Sequence, residues 1–261
     1  MDKEQIKKLA RNPKFISGIY NYCDRWCERC EFTSRCMNYD MCEEEFNSPE
    51  SRDVNNKAFW DKMQEVFSTT QEMVKEMAEE MNVDLNSIDC EEAEKHEEKV
   101  REFSKSQPYS KAAFEYINVV KKWFDSNEEL LKEKTQELLT HLEAEIPGTK
   151  PMDEAVSIND CLEVIRWYQH QIYVKLCRAA SGVMRGEFKD LEYCPQDADG
   201  SAKVAIIGIE RSLSAWGGLL NHFSQQEQTI LNILVKLKVL LRLVENSFPN
   251  ARTFIRPGFD T

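Results

Sequence analysis

The chain has 261 residues, 31% of them charged and 41% hydrophobic, with only 9 Gly and 8 Pro. Ordinary usage gives roughly 18 Gly and 13 Pro at this length, so collagen, linker-type sequence and a turn-rich β-sandwich are excluded and long helices are favoured. The formal charge is -12, so the surface as a whole repels phosphate backbones and nucleic acid is not an expected partner.

The opening residues, Met1 to Lys8, contain no apolar run, and the longest aliphatic stretch, Val204 to Ile209, is interrupted by Gly208. No secretory leader or membrane span is read there; a cytoplasmic protein without membrane contact is expected. Its 9 cysteines are odd in number. A reducing compartment disfavours disulfides, so the thiols call for another explanation.

In chain order, the first chemical feature is Cys23-Asp24-Arg25-Trp26-Cys27-Glu28-Arg29-Cys30, followed by Cys36. The spacing is C-x3-C-x2-C-x5-C, and Cys42 lies just beyond. A helix continuing through Ile16, Ile19 and Tyr20 would put Cys23, Cys27 and Cys30 on one face, and a turn at Thr33-Ser34 would return Cys36 to them. Thiolates are soft ligands that select zinc or iron–sulfur clusters. Structural zinc usually draws its ligands from two separated pairs, whereas one short segment supplying every ligand is typical of a cluster. The expected cofactor is therefore a 4Fe-4S iron–sulfur cluster on Cys23, Cys27, Cys30 and Cys36, with Zn as the alternative. Arg25, Arg29 and Arg35 interleave the thiols and should lower their pKa. The plain alternative is packing, since cysteine is also a small, weakly apolar residue. Cys90, Cys161, Cys177 and Cys194 are isolated and read as packing residues.

Beyond Ser48-Pro49, an N-cap followed by Pro at the first helical position, the residues Met63, Phe67, Thr70, Val74, Met77 and Met81 step by four and three. That period of 3.5 predicts a helix facing another helix, its methionines a soft core. Between Asp40 and Val100 stand 19 acidic and 6 basic residues, read as a solvated helical face. Pro108 opens a further helix carrying Phe114, Ile117, Val120 and Phe124. Ser126 and Glu129 fit a capping box, and Pro147-Gly148 stops the seam continued by Leu131, Leu138 and Leu142. The clearest helix runs from about Ser157 to Phe188, with Leu162, Ile165, Ile172 and Leu176 on one face. Pro195 to Gly200 reads as a loop. Two more helices follow, marked by Ile206, Ile209, Leu213, Trp216 and Leu220, then by Ile230, Leu234, Leu237, Leu241 and Val244. The glycines of Trp216-Gly217-Gly218 should admit a neighbouring helix. The aromatic tail, Phe254 to Phe259, should pack back on the bundle. The fold expected is all-α: an up-and-down helical bundle over residues 48–261, with a short Cys-rich N-terminal appendage over residues 1–47.

Two resemblances attach to the cysteines. Cys27-x2-Cys30-x5-Cys36 is similar to the spacing in SPASM-type auxiliary iron–sulfur domains, which would place a further cysteine where Asp40 stands. Cys23-x3-Cys27-x2-Cys30 has the spacing of the radical-SAM cluster, but that family needs a (β/α) barrel, and Arg29 replaces its usual aromatic residue, so a radical-SAM enzyme is rejected. The whole chain resembles a poorly characterised bacterial family of helical proteins with this N-terminal motif; the likeness implies the fold and no activity.

Other chemistry is thinner. None of His96, His141, His170 and His222 follows a glutamate by three residues, so a di-iron bundle site is excluded. No phosphate loop or His-Glu-x-x-His motif exists. Glu163, Arg166, His170, Tyr173 and Cys177 form a polar stripe, with Glu210, Ser214 and Gly217 on the next helix. It reads either as an acid/base pocket with His170 titrating or as an ion pair of Arg166 with Glu163 or Glu210 that fixes helix register. Three functions are expected from this: a metal-binding redox, electron-transfer or sensing protein working with a protein partner; a non-catalytic scaffold or adaptor; or an enzyme at the Glu163–Arg166–His170 stripe.

Overall fold

A computed structural model describes residues 1–87, 89–186 and 194–260. Among them there is no strand, and the fold is all-α. The helices are α1 (Lys3–Ala10), α2 (Met37–Glu45), α3 (Pro49–Arg52), α4 (Lys57–Glu80), α5 (Cys90–Ser106), α6 (Pro108–Ser126), α7 (Glu128–Glu143), α8 (Pro151–Gly186), α9 (Cys194–His222) and α10 (Glu227–Ser247). The chain divides into two compact units, residues 1–97 with 255–261, and residues 98–254. The division falls inside α5, so α3 and α4 group with the Cys-rich segment.

The larger unit is a four-helix arrangement: α8 meets α9 and α6, and α10 meets the same two helices from the other side. Tyr168 lies against Gly208 and Cys161 against Gly218, while Ser157 meets His222. One number falls as the other rises, so α8 and α9 run antiparallel. Phe114 stacks near Tyr173, and Arg166 lies over Phe124, which sets α6 antiparallel to α8. Inside, Trp216 Nε1 donates to the Tyr116 hydroxyl at 3.0 Å. Trp123 meets the Trp216 ring edge-on at 5.0 Å. These aromatic side chains bring large apolar area, and the Trp216 indole N–H is satisfied within the core, while that of Trp123 is buried without a partner among the described residues. Burial pushes the Tyr116 phenol up to about 12, so it stays a neutral hydroxyl.

Three sequence expectations change here. Pro195 to Gly200 is not a loop but the start of α9, where proline's missing N–H costs no helix bond. Ser126 does not cap α7: it ends α6, and Asn127 intervenes with its side chain donating back to the Trp123 carbonyl at 2.7 Å. The helix expected to reach Phe188 runs from Pro151 to Gly186, and Phe188 lies outside the described residues. The close approach expected at Gly217-Gly218 holds at one of the two. A Cβ on Gly218 would stand 2.7 Å from Cys161 Sγ, while one on Gly217 would meet nothing within 4 Å.

The smaller unit is lean. Of its large side chains only Ile19 is fully enclosed, at 2% exposure, and Ala78 is the other buried apolar residue among those described. Helix α1 meets α4 through Lys7 Nζ and Glu76 Oε1 at 2.7 Å. The seam on α4 does not face another helix as expected: Phe67 is 59% and Met77 58% exposed. The tail from Ile255 belongs to this unit and not to the bundle. Its Phe259 meets Phe32 edge-on at 5.1 Å. Gly258, at φ 78°, lets the backbone lie on Ile16 and Ile19, where a Cβ would come within 2.9 Å of Ile16 Cδ1.

The α8–α9 contact yields a paired prediction. A Cβ on Gly208 would sit 2.9 Å from Tyr168 Cδ1 and 3.1 Å from Ile172 Cγ1. Gly208→Ala should therefore destabilise the bundle by about 1–3 kcal/mol despite better helix propensity. Gly217→Ala, into open space, should be neutral or gain up to about 1 kcal/mol. Urea denaturation of both variants checks the pair; equal effects would mean the two glycines are packed alike.

Candidate functional site

Residues Gly18 to Cys36 do not continue as a helix. They form three short 3-10 turns, Ile19–Asn21, Cys27–Arg29 and Thr33–Arg35. Cys27 and Cys30 bracket the second, where the Cys30 N–H donates to the Cys27 carbonyl at 3.1 Å. Cys36 closes the third through the Thr33 carbonyl at 3.2 Å, and Ile16 N–H donates to Arg35 O at 3.0 Å, tying the ends of the segment together. Between Cys23 and Cys27 the chain reverses at Arg25, whose φ is 61°. That left-handed conformation costs a non-glycine residue about 1–2 kcal/mol. The cysteines are thus brought together by tight turns, not by one helical face.

All four thiols border one recess of about 320 Å³ of atom-free space, part of it open to solvent. Ile19, Tyr39 and Phe259 supply apolar wall, so the C-terminal tail closes one side. The Phe32 N–H points at Cys30 Sγ at 3.4 Å, and the Cys23 thiol donates to the Tyr20 carbonyl at 3.5 Å. Cys42 sits exposed on α2 and does not border the recess. Among the described residues, no three His, Cys, Asp or Glu side chains are gathered tightly enough to hold a metal ion. Tetrahedral zinc, with Zn–S near about 2.3 Å, would need thiolates closer together than that.

The electrostatics run against the sequence expectation. Burial pushes the Cys27 thiol up to about 11, with the neighbouring Cys23, Cys36 and Cys30 adding to the shift. Cys30 is also raised by burial, opposed by the Phe32 N–H. No arginine is among the main influences on either thiol: Arg29 stacks on the Trp26 ring at 4.1 Å, and Arg25 and Arg52 lower Cys42 without overcoming its desolvation. Desolvation outweighs the guanidinium charges because those charges stand in water.

The polar stripe does not form a pocket. Glu163, Arg166 and His170 are exposed on α8. Arg166 lies over the Phe124 ring at 4.5 Å, and Asn159 donates to Glu163 at 2.9 Å. Glu210 pairs with Arg252 at 2.8 Å, so the expected Arg166–Glu210 bridge is replaced. Glu210 and Ser214 do line a shallow groove, with Asp160, Cys161 and Arg211.

One constellation has no sequence signal, because its parts are far apart in the chain. Ser157 Oγ lies 3.2 Å from His222 Nε2, and His222 Nδ1 lies 3.3 Å from Glu154 Oε1. The order matches a hydrolytic triad. However, the backbone N–H of Ser157 is engaged inside α8, so it offers no oxyanion donor. Lys134, 2.8 Å from Glu154, holds that carboxyl below its ordinary value. The group clamps the start of α8 to the end of α9. Beside it, α7 and α8 enclose an apolar cavity bordered by Leu131, Leu138, Met152 and Phe223.

Compared with known proteins, the chain matches no family model, no curated protein and no solved structure.

The raised thiol gives a kinetic prediction. A thiol whose pKa is raised by about two units has a hundredfold smaller thiolate fraction below its ordinary pKa. In metal-free protein at about pH 8, Cys27 should alkylate with iodoacetamide roughly a hundredfold more slowly than an unhindered peptide thiol, the gap narrowing as pH rises toward 11. Peptide mass mapping reads the rate; equal rates would remove the burial account.

Proposed function

We propose that Cys23, Cys27, Cys30 and Cys36 bind an iron–sulfur cluster, which fastens the N-terminal unit and serves as a redox centre for a protein partner in the cytoplasm. The observation that carries this reading is the common recess: four soft donors border one cavity in a unit that buries almost no apolar side chains. Domains with so small a core depend on metals, disulfides or association for stability. The donor set fits, since four thiols match soft iron or zinc and no hard cation. A cluster suits the wider spacing better than one zinc ion, because each thiolate then binds a different metal atom.

When bound, such a cluster supplies one-electron transfer. The chain's own residues set its surroundings. The Phe32 N–H, aimed at Cys30 Sγ, stabilises negative charge on that sulfur. Ile19 and Phe259 keep water from one side of the recess. The Cys27 and Cys30 thiols, raised by desolvation, hold their protons until metal arrives, so loading releases protons and weakens in acid. No helix of the described residues is long and apolar enough to cross a membrane, which agrees with a cytoplasmic place.

Anaerobic purification with metal analysis and an absorption spectrum tests the proposal. Brown protein with a broad band around 400 nm, roughly four irons per chain and an equal amount of sulfide is expected. Cys27→Ser and Cys30→Ser should lose the band, and Cys42→Ser should keep it. Colourless protein with one zinc would make the centre a structural staple in a scaffold or adaptor. Metal-free protein whose N-terminal unit is stably folded would overturn metal binding altogether.

A further inference from the structure

Helix α4 carries Trp60, Phe67, Val74 and Met77 on its outer side, each at least half exposed. Together with Met63 and Thr70 they occupy alternate three- and four-residue steps, the a and d positions of a heptad from residue 60 to 77. A straight seam with that period is complementary to another helix rather than to a sheet or a small molecule. Within the chain Trp60, Phe67, Val74 and Met77 keep at least half of their surface open, Trp60 donating to the Val54 carbonyl. We infer that α4 is a self-association helix and that a second copy of this chain docks on it antiparallel, forming a two-helix coiled coil.

Charge argues for a second copy in this orientation. The flanking e and g positions between residues 59 and 79 are uncharged, Gln64, Gln71 and Ala78 on one side and Phe59, Val66 and Met73 on the other. A chain of formal charge -12 can approach its own copy along such a strip without like-charge contact. The ends of α4 differ. In its first half Lys57 and Lys62 are balanced by Asp61 and Glu65, whereas in its second half Glu72, Glu76, Glu79 and Glu80 stand against Lys75 alone. A parallel pair would set the acidic ends side by side, whereas an antiparallel pair separates them and places each beside the charge-balanced first half of the other copy. The register is self-consistent: Trp60 meets Met77 of the partner copy, Met63 meets Val74, and Phe67 meets Thr70. In that register Gln64 of one copy faces Gln71 of the other, where two amides bond reciprocally. Covering the seam also adds apolar burial to a unit that has little of its own.

Sedimentation equilibrium of the full chain, at on the order of tens of micromolar, tests this because association depends on protomer concentration. The expected result is twice the mass of one chain. Phe67→Glu should yield a monomer with unchanged circular dichroism, since Phe67 is 59% exposed. The double variant Gln64→Glu with Gln71→Glu should weaken association about tenfold or more, and Gln64→Lys with Gln71→Glu should keep it, because e positions face each other only in an antiparallel pair. A monomeric wild-type chain, or a dimer indifferent to Phe67→Glu, would overturn the inference. Equal behaviour of the two glutamine double variants would overturn the antiparallel arrangement.

Discussion

The governing constraint is the scarcity of buried apolar surface in the N-terminal unit. Residues 1–97 and the tail enclose Ile19 and Ala78, and little else that water leaves on folding. Ordering about a hundred residues opposes folding by roughly a hundred kcal/mol of conformational entropy, which burial ordinarily offsets. Apart from Glu45, which is buried and pairs with the Met1 amino group and Lys62, the ion pairs of this unit, such as Lys7 with Glu76 and Lys14 with Asp40, are exposed or half-exposed, and such pairs contribute little. Whatever holds the unit must act through its two concentrated features: the sulfur-bordered recess and the apolar stripe of α4. Both proposals arise from that shortage, and they are independent, since the recess lies in the turns and the stripe on a helix.

The bundle presents the opposite case. Its core residues, among them Tyr116, Tyr168, Trp216 and Phe223, are essentially sealed from solvent. The α8–α9 pair lies close enough that Gly208 and Gly218 leave no room for a side chain. Some polar groups within it are paired, as Arg178 is with Asp197 at 2.6 Å, while the buried Trp123 indole N–H and the Ser110 and Ser201 hydroxyls have no hydrogen-bond partner among the described residues. Dense packing makes a rigid body. The Ser157–His222–Glu154 group belongs to that rigid body as a fastening at one end.

Much of this was legible in the chain. Stepping by three and four placed α8, α9 and α10 because long amphipathic helices leave a periodic imprint. The convergence of Cys23, Cys27, Cys30 and Cys36 was legible from their crowding, but its backbone was not. Three 3-10 turns and a left-handed Arg25 have no periodic signal. The α4 seam shows the limit of pattern reading: a heptad states that a helix wants a partner, not that its own chain provides one. Ser157 and His222 meet only through the antiparallel hairpin of α8 and α9, so no local window contains them. Pro195 misled because proline punctuates loops and opens helices alike.

The wall that Phe259 contributes comes from nearly the opposite end of the chain to the turns it leans on. A ribosome adding about 5–20 residues per second needs on the order of tens of seconds to travel that span. Throughout the interval the Cys-rich turns have emerged without their aromatic cover, and the intervening bundle helices are made before it. Maturation of the N-terminal unit is therefore a late event in the protein's birth. In that interval the protein itself gives its nascent sulfur no such shield.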